Sequence, residues 1–383
     1  MVGRNNAAAV GTLIVNSGTV AKTGGGNFVV GSLNATGTLI VNGGQVLNNA
    51  NLWLGENASA NATLQLNGGL VQATQIRIQG AIPLSSVAYF NGGTLQATAA
   101  SADFIMVPTV PMVQSGGLVL DSQNFDLTIA NTLTEDGSSP GGGLTKLGSG
   151  ALTLSGANSY TGLTTVSNGT LNVDGSIAGA VTVKSGATLG GIGTIGGIVI
   201  EAGGEVGAGA SIGTLTVGNA SLGGSVVAEV DRNGGTPLAD LIVVTPNPVA
   251  YGGTLVLRNI GAPLQVGDAF TVFNAPSYSG SFTLVSQTAG QSVTWNTSNL
   301  AVNGTVSVVS ATGVSFTLEA GVSGNTLELS WPPSQLGLRL ETNAVSVADL
   351  ASWFTYPGST AVTNVDITIN PSLTNVFFRL VYP

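Results

Sequence analysis

The sequence predicts an all-β chain: a β-solenoid (β-helix) followed by a small C-terminal β-sandwich-like region. Three observations predict it. A motif of alternating apolar residues around Asn and two small residues recurs as TLIVNSGTV (12–20), TLIVNGGQV (38–46), TLQLNGGLV (63–71) and, more loosely, AYFNGGTLQ (88–96). Glycine makes up 57 of 383 residues, and charged residues only 7%, while 43% of the chain is apolar. That apolar share, in strict alternation, separates the chain from a disordered one. Finally, no long 3.6-residue periodicity stands out, and AVSVADLASWF (344–354) is the sole candidate for a helical turn.

The first repeats align on Asn16, Asn42, Asn67, Asn91 and Ser115, at nearly even steps. Two positions on stand Gly18, Gly44, Gly69, Gly93 and Gly117, expected at a positive φ or at a corner too tight for a Cβ. Four positions on stand Val20, Val46, Val71, Leu95 and Val119, expected to stack inside. Leu13, Leu39 and Leu64 precede the anchor by three, with Ala88 in the fourth copy. Equivalent strands stacked about 4.8 Å apart place like over like, so Asn can bond to Asn along a corner. One copy cannot bury its apolar face alone, whereas a stack can. A sandwich meander also favours Asn-Gly-Gly turns, but it does not need one glycine offset kept over five copies.

From position 144 or so the period tightens, and small turns recur at 167–169, 185–187, 202–204 and 218–220. Here GGLTKLGSGALTLSGANSYTGLTTVSNGTLNV (142–173), SGATLGGIGTIGG (185–197) and GASIGTLTVG (209–218) resemble the autotransporter-associated β-strand repeat. The stretch DLIVVTPNPVAYGGTLVLRNIGAPLQVGDAFTVFNAPSYSGSFTLV (240–285) resembles the segment that closes such passengers. The resemblance covers about 142–285 and implies an exported β-solenoid of the bacterial extracellular surface. Autotransporters proper end in a membrane β-barrel. Only the short stretch after Val309 remains here, resembling a C-terminal module of large secreted repeat proteins, so a passenger without its own translocator is expected. The organisation expected is a solenoid over 1–225, a β-rich closing segment over 226–310 and a sandwich-like module over 311–383.

Nine basic residues against 18 acidic ones give a net charge of −9. Without a basic patch to neutralise phosphates, nucleic acid and anionic membrane surfaces are disfavoured. No apolar run approaches the roughly 20 residues of a spanning helix. The start, MVGRNNAAAVGTLIV, lacks the continuous apolar core of a signal peptide, so a removed leader or a fragment is expected.

Cysteine and histidine are both absent, which removes thiolate and imidazole catalysis, disulfides and almost every zinc site. Carboxylate chemistry survives, and glycoside cleavage needs two carboxylates roughly 5–10 Å apart. The candidate pairs are Asp121 with Asp126, Glu135 with Asp136, Glu201 with Glu205, and Glu229 with Asp231, the last on one strand face. The cations available beside them are Arg77, Lys146, Lys184 and Arg232. In TEDGSSPGG (134–142), Glu135, Asp136 and Ser138 could face calcium, but the alternating Asp/Asn ladder of a calcium loop is missing. Asn34, Asn57, Asn61, Asn168, Asn219, Asn296 and Asn303 begin Asn-x-Ser/Thr triplets, common by composition in such a chain. Trp331 and Trp353 are expected in the core of the end module, with Trp53 and Trp295 elsewhere.

These readings select no catalytic, cofactor or metal residue. They point to a non-enzymatic extracellular structural protein, a stalk or adhesin or a self-assembling fibre subunit. Its expected partner is a second copy joined head to tail, or a surface or matrix polysaccharide. A secreted carbohydrate-binding or polysaccharide-degrading β-helix is the alternative.

Overall fold

Strands Val10–Val15, Thr36–Val41, Asn61–Leu66 and Ser85–Phe90 lie side by side in parallel, following the spacing of the repeat. Leu13, Leu39, Leu64 and Ala88 form one column across them. Each early coil adds a strand to a second and a third face, as Thr19–Ala21 and Phe28–Val30 do in the first coil. The computed structural model describes residues 2, 9–56, 60–78, 85–107, 111–232, 235–313, 318–372 and 375–381. In it the chain is nearly all β, with a solenoid of about 11 turns.

Alternation decides which side chains enter. Leu39, Val41, Leu64, Leu66 and Phe90 are fully buried, while the residues between them face outward. Val20, Val46, Val71 and Leu95 stack as the repeat predicts, but the next member is Leu120 and not Val119. The fifth corner is set by Gln114, whose N–H donates to Phe90 O, so its turn is longer by two and Val119 faces outward. Gly44 and Gly69 take φ of 67° and 64°. In the fourth corner Gly92 holds the positive φ, 103°, and Gly93 meets the other expectation, since a Cβ there would lie 2.4 Å from Leu66 Cδ1. Along the same edge Asn42 Nδ2 donates to Asn16 Oδ1 and Asn67 Nδ2 to Asn42 Oδ1, both at 2.9 Å.

The shorter period has a structural cause. Strand Ser176–Val183 runs across two faces at once: its start pairs with Ala157–Asn158 and its end with Thr164–Val166. Coils there need two strands in place of three, and Val181 already meets its next-coil partner at Ile198. The coils then widen again. Thr254 reaches its partner only at Thr283, and parallel rungs continue through Thr283–Gln287.

Three antiparallel sheets follow the solenoid, the first of them borrowing a strand from its last coils. Ala269–Thr271, Thr305–Gly313 and Gln291–Asn296 form one three-stranded sheet, with a one-turn helix at Leu300–Asn303 that apolar periodicity did not predict. Two further three-stranded sheets make the C-terminal module. One contains Glu319–Ser323, Thr326–Ser330 and Asn364–Thr368; the other contains Phe354–Thr355, Arg339–Asn343 and Phe377–Val381. Leu329, Trp331, Leu340 and Val365 form its small core. Of the helical turn expected at 344–354, one 3-10 turn at Leu350–Ser352 exists, where Asp349 accepts from the Ala351 N–H. Among the described residues no helix is long and apolar enough to cross a membrane.

Candidate functional site

Because inward positions are mostly apolar and the inward polar groups are bonded within the solenoid, candidate chemistry lies on outward rows and turns. One outward row carries Thr170, Thr188 and Glu205 in register. Beside it Gly190 pairs with Asn172 and Gly207 with Val227, so two outward positions lack a side chain. A hollow of about 190 Å³ opens over this floor, with Asn172, Glu205, Glu229, Asp240 and Arg258 around it. Glu229, Arg258 and Gln287 form the next row. A second hollow of about 480 Å³ shares Glu229 and Arg258 and reaches Leu336, Gly337 and Thr360 of the C-terminal module.

The charges in this groove are tied down to different degrees. Arg258 Nη1 stands 3.7 Å from Glu229 Oε1, and its Nε donates to Gln287 Oε1 at 3.0 Å. Asp240 is buried and accepts from the N–H groups of Gly213 and Glu229, both at 2.9 Å. Burial pushes its carboxyl up to about 7 against those two bonds. Asp240 thus pins the returning strand Leu238–Ala239 beside Ser225–Asp231.

The structure unites Glu205 and Glu229, which sequence spacing assigned to separate pairs, and adds Asp240 and Arg258, which it missed. Neither omission left a signal, because rungs this far apart in the chain cannot be registered by counting along irregular turns. The other candidates are spread among the coils. Glu201 pairs with Lys184 across one rung. Asp121 accepts from Gln96 and Gln123, and Asp126 from the Ala151 N–H. Glu135 accepts from Thr161 Oγ1 and Gly141 N, which hold its carboxyl below the usual range. Asp136 is held low by Ser138 and Gln114. These carboxylates thus hold the 134–142 loop in shape and tie it to the coils on either side.

Trp331 is buried as expected, whereas Trp353 is half-buried outside the core, with the Arg379 guanidinium 4.1 Å above its ring. Trp53 faces outward between Val29 and Arg77, and Trp295 packs on Phe270. Asn34, Asn168, Asn219, Asn296 and Asn303 are exposed and Asn61 is half-buried, while Asn57 lies outside the described residues.

Four polar residues in 144–173 point inward, Lys146, Asn158, Tyr160 and Thr164, and each is satisfied. Lys146 is fully buried, and its Nζ donates to the carbonyls of Leu147, Gly148 and Asn168 at 2.8–3.2 Å. Asn158 accepts from the Leu133 N–H and donates to Gly156 O and Ser176 O, bridging three coils. Tyr160, also fully buried, shares a hydrogen bond of 2.8 Å with Thr164.

Residues 144–173, where these groups lie, match the family model of the passenger-associated-transport-repeat. The chain is 43% identical over 76 residues to an extracellular serine protease of Serratia marcescens, covering 20% of the chain and 7% of that protein. It is 44% identical over 73 residues to the adhesin BmaC autotransporter of Brucella suis biovar 1 (strain 1330), covering 18% and 2%. The chain thus spans a small part of the length of either relative. Repeat, relatives and solenoid fit an autotransporter passenger-type repeat protein, and they suggest a secreted passenger.

Proposed function

We propose that the chain is a non-enzymatic extracellular structural segment: a solenoid stalk that carries its C-terminal module out from a bacterial surface. The observation that supports this reading is the fate of the polar groups in the matched repeat. Lys146, Asn158 and Tyr160 are buried and spent on the solenoid itself, Lys146 and Asn158 across to adjacent coils and Tyr160 on Thr164 in its own turn, so what marks the repeat is architecture. Self-association is the partner we propose for the rod. Among the described residues, strands Val10–Val15 and Thr19–Ala21 are paired on one side only, and Val10 and Ile14 are exposed. Open backbone of this kind is a template for a further coil.

The test follows purified chain by electron microscopy and light scattering over a concentration series, and by hydrolysis assays on protein and polysaccharide. Rods that lengthen end to end without hydrolysis support the reading. Hydrolysis that falls at least tenfold in Glu229→Gln or Asp240→Asn overturns the structural role, and rods that never associate overturn the self-contact.

A further inference from the structure

The C-terminal module leaves one end of its two-sheet core unfilled. Between the sheets lies a cavity of about 380 Å³, within the ordinary range of small-ligand pockets. Leu327 and Ile367 line it from one sheet, Thr342 and Phe378 from the other, with Tyr356 between and Asn370 and Asn375 at the rim. We propose that this cavity is a binding site for an uncharged saccharide.

The row Phe354–Thr342–Phe378 carries the argument. These residues are direct cross-strand neighbours, so their side chains share one face, the face that carries the core residue Leu340. A hydroxyl between two rings on a core-facing row costs free energy unless something bonds to it. Thr342 makes no side-chain hydrogen bond to the described residues, and neither do the hydroxyls of Tyr356 and Thr368 nor the amide of Asn375. Asn370 accepts from Ser372 through its Oδ1, and its Nδ2 donates to none of the described residues. Phe354, at the end of the row, is 66% exposed, a large apolar surface left in water.

Together these give aromatic faces next to unspent hydroxyl and amide groups. A pyranose ring has the matching chemistry: an apolar C–H face that lies on an aromatic ring and hydroxyls around its edge. An acyl chain would leave the polar groups unpaired. An acidic sugar would find no counter-charge, since no charged residue lines the cavity and the nearby ion triad of Arg339, Glu341 and Arg379 stands on the opposite sheet face. The site is separate from the solenoid groove, and it stands whether or not the solenoid is a stalk.

The test is affinity electrophoresis and calorimetry of the full chain against neutral glucans, xylan and mannan, with alginate and a fluorescent fatty acid as comparators. At least one neutral polysaccharide is expected to bind. Phe354→Ala and Thr342→Val are each expected to weaken that binding at least tenfold, with melting temperature unchanged; the first removes an exposed ring, and the second replaces a hydroxyl by a methyl. Failure to bind any neutral glycan overturns the proposal. So does binding that both variants leave intact, or binding to alginate or the fatty acid alone. The stalk reading is judged on rods and hydrolysis, so either can fail without the other.

Discussion

At the scale of single residues, the tightest constraint is on the corner glycines. A Cβ on Gly69 would lie 2.4 Å from Gly44 O and 2.7 Å from Gly43 C, on a backbone already at φ 64°. Backbone atoms of the neighbouring coil cannot move aside as a side-chain end can. Gly69→Val should therefore cost more than the ~1 kcal/mol of propensity, on the order of 2–4 kcal/mol. Denaturant melts of the two proteins check this, and an unchanged midpoint would remove the corner role. The glycine offset was legible in the sequence because each of its five positions needs either a positive φ, as at Gly18, Gly44, Gly69 and Gly117, or room for a close neighbour, as at Gly93.

Lys146 shows what was not legible. Its buried amine is pushed down to about 8 from 10.5, first by desolvation, with Asp121 and Asp126 pulling the other way. Between pH 8 and 10.5 the unfolded chain binds the extra proton, so this group adds stability as pH rises through that window and leaves it flat below. Lys146→Met should lose roughly 2–3 kcal/mol at pH 7, because three carbonyls lose a charged donor. Its stability should also lack the rise expected of the parent above pH 8. Parallel melts at several pH values decide, and identical slopes would mean the amine is solvated. Composition labels lysine a surface residue, and only the closing of one coil on the next reveals three carbonyls around it.

At the scale of the strand, column packing sets stability. Leu64 is fully buried, between Leu39 and Ala88 in adjacent rungs. Leu64→Ala should cost about 2–5 kcal/mol, since a stacked ladder cannot collapse around the void. Outward Thr63→Ala should stay within about 0.5 kcal/mol. Equal losses in the two would show that the strand had been placed with its faces exchanged. Strand faces were readable wherever alternation held, and the first four columns followed it. The fifth slipped by one because turn length, unlike strand alternation, has no period. The groove was hidden for the same reason: Glu205, Glu229 and Arg258 meet only through successive coils of unequal length.

For the whole molecule, about 11 turns at ~4.8 Å each give a rod of roughly 50 Å before the C-terminal module is added. Small-angle scattering of the monomer should show a longest dimension above that length, and a spherical profile would contradict the stack. The repeat conveyed this elongation early, whereas the C-terminal module, built of non-repeating antiparallel strands, offered only a count of strands.

The merging of two faces at Ser176–Val183 has a mechanical meaning. Early coils are tied to their neighbours by rungs on three faces, but there the tie is one bent strand and one short one, in the narrowest turns of the rod. Load along the rod passes through rung hydrogen bonds, because these run parallel to the axis. The narrow coils share that load among fewer rungs than the first coils do, so they yield before those. Pulled from its two ends in an optical trap, the solenoid should part between about 176 and 200 before its first coils, over about 10–77, open. The first coils would remain folded at that point, and their opening ahead of the narrow ones would show that width does not govern strength.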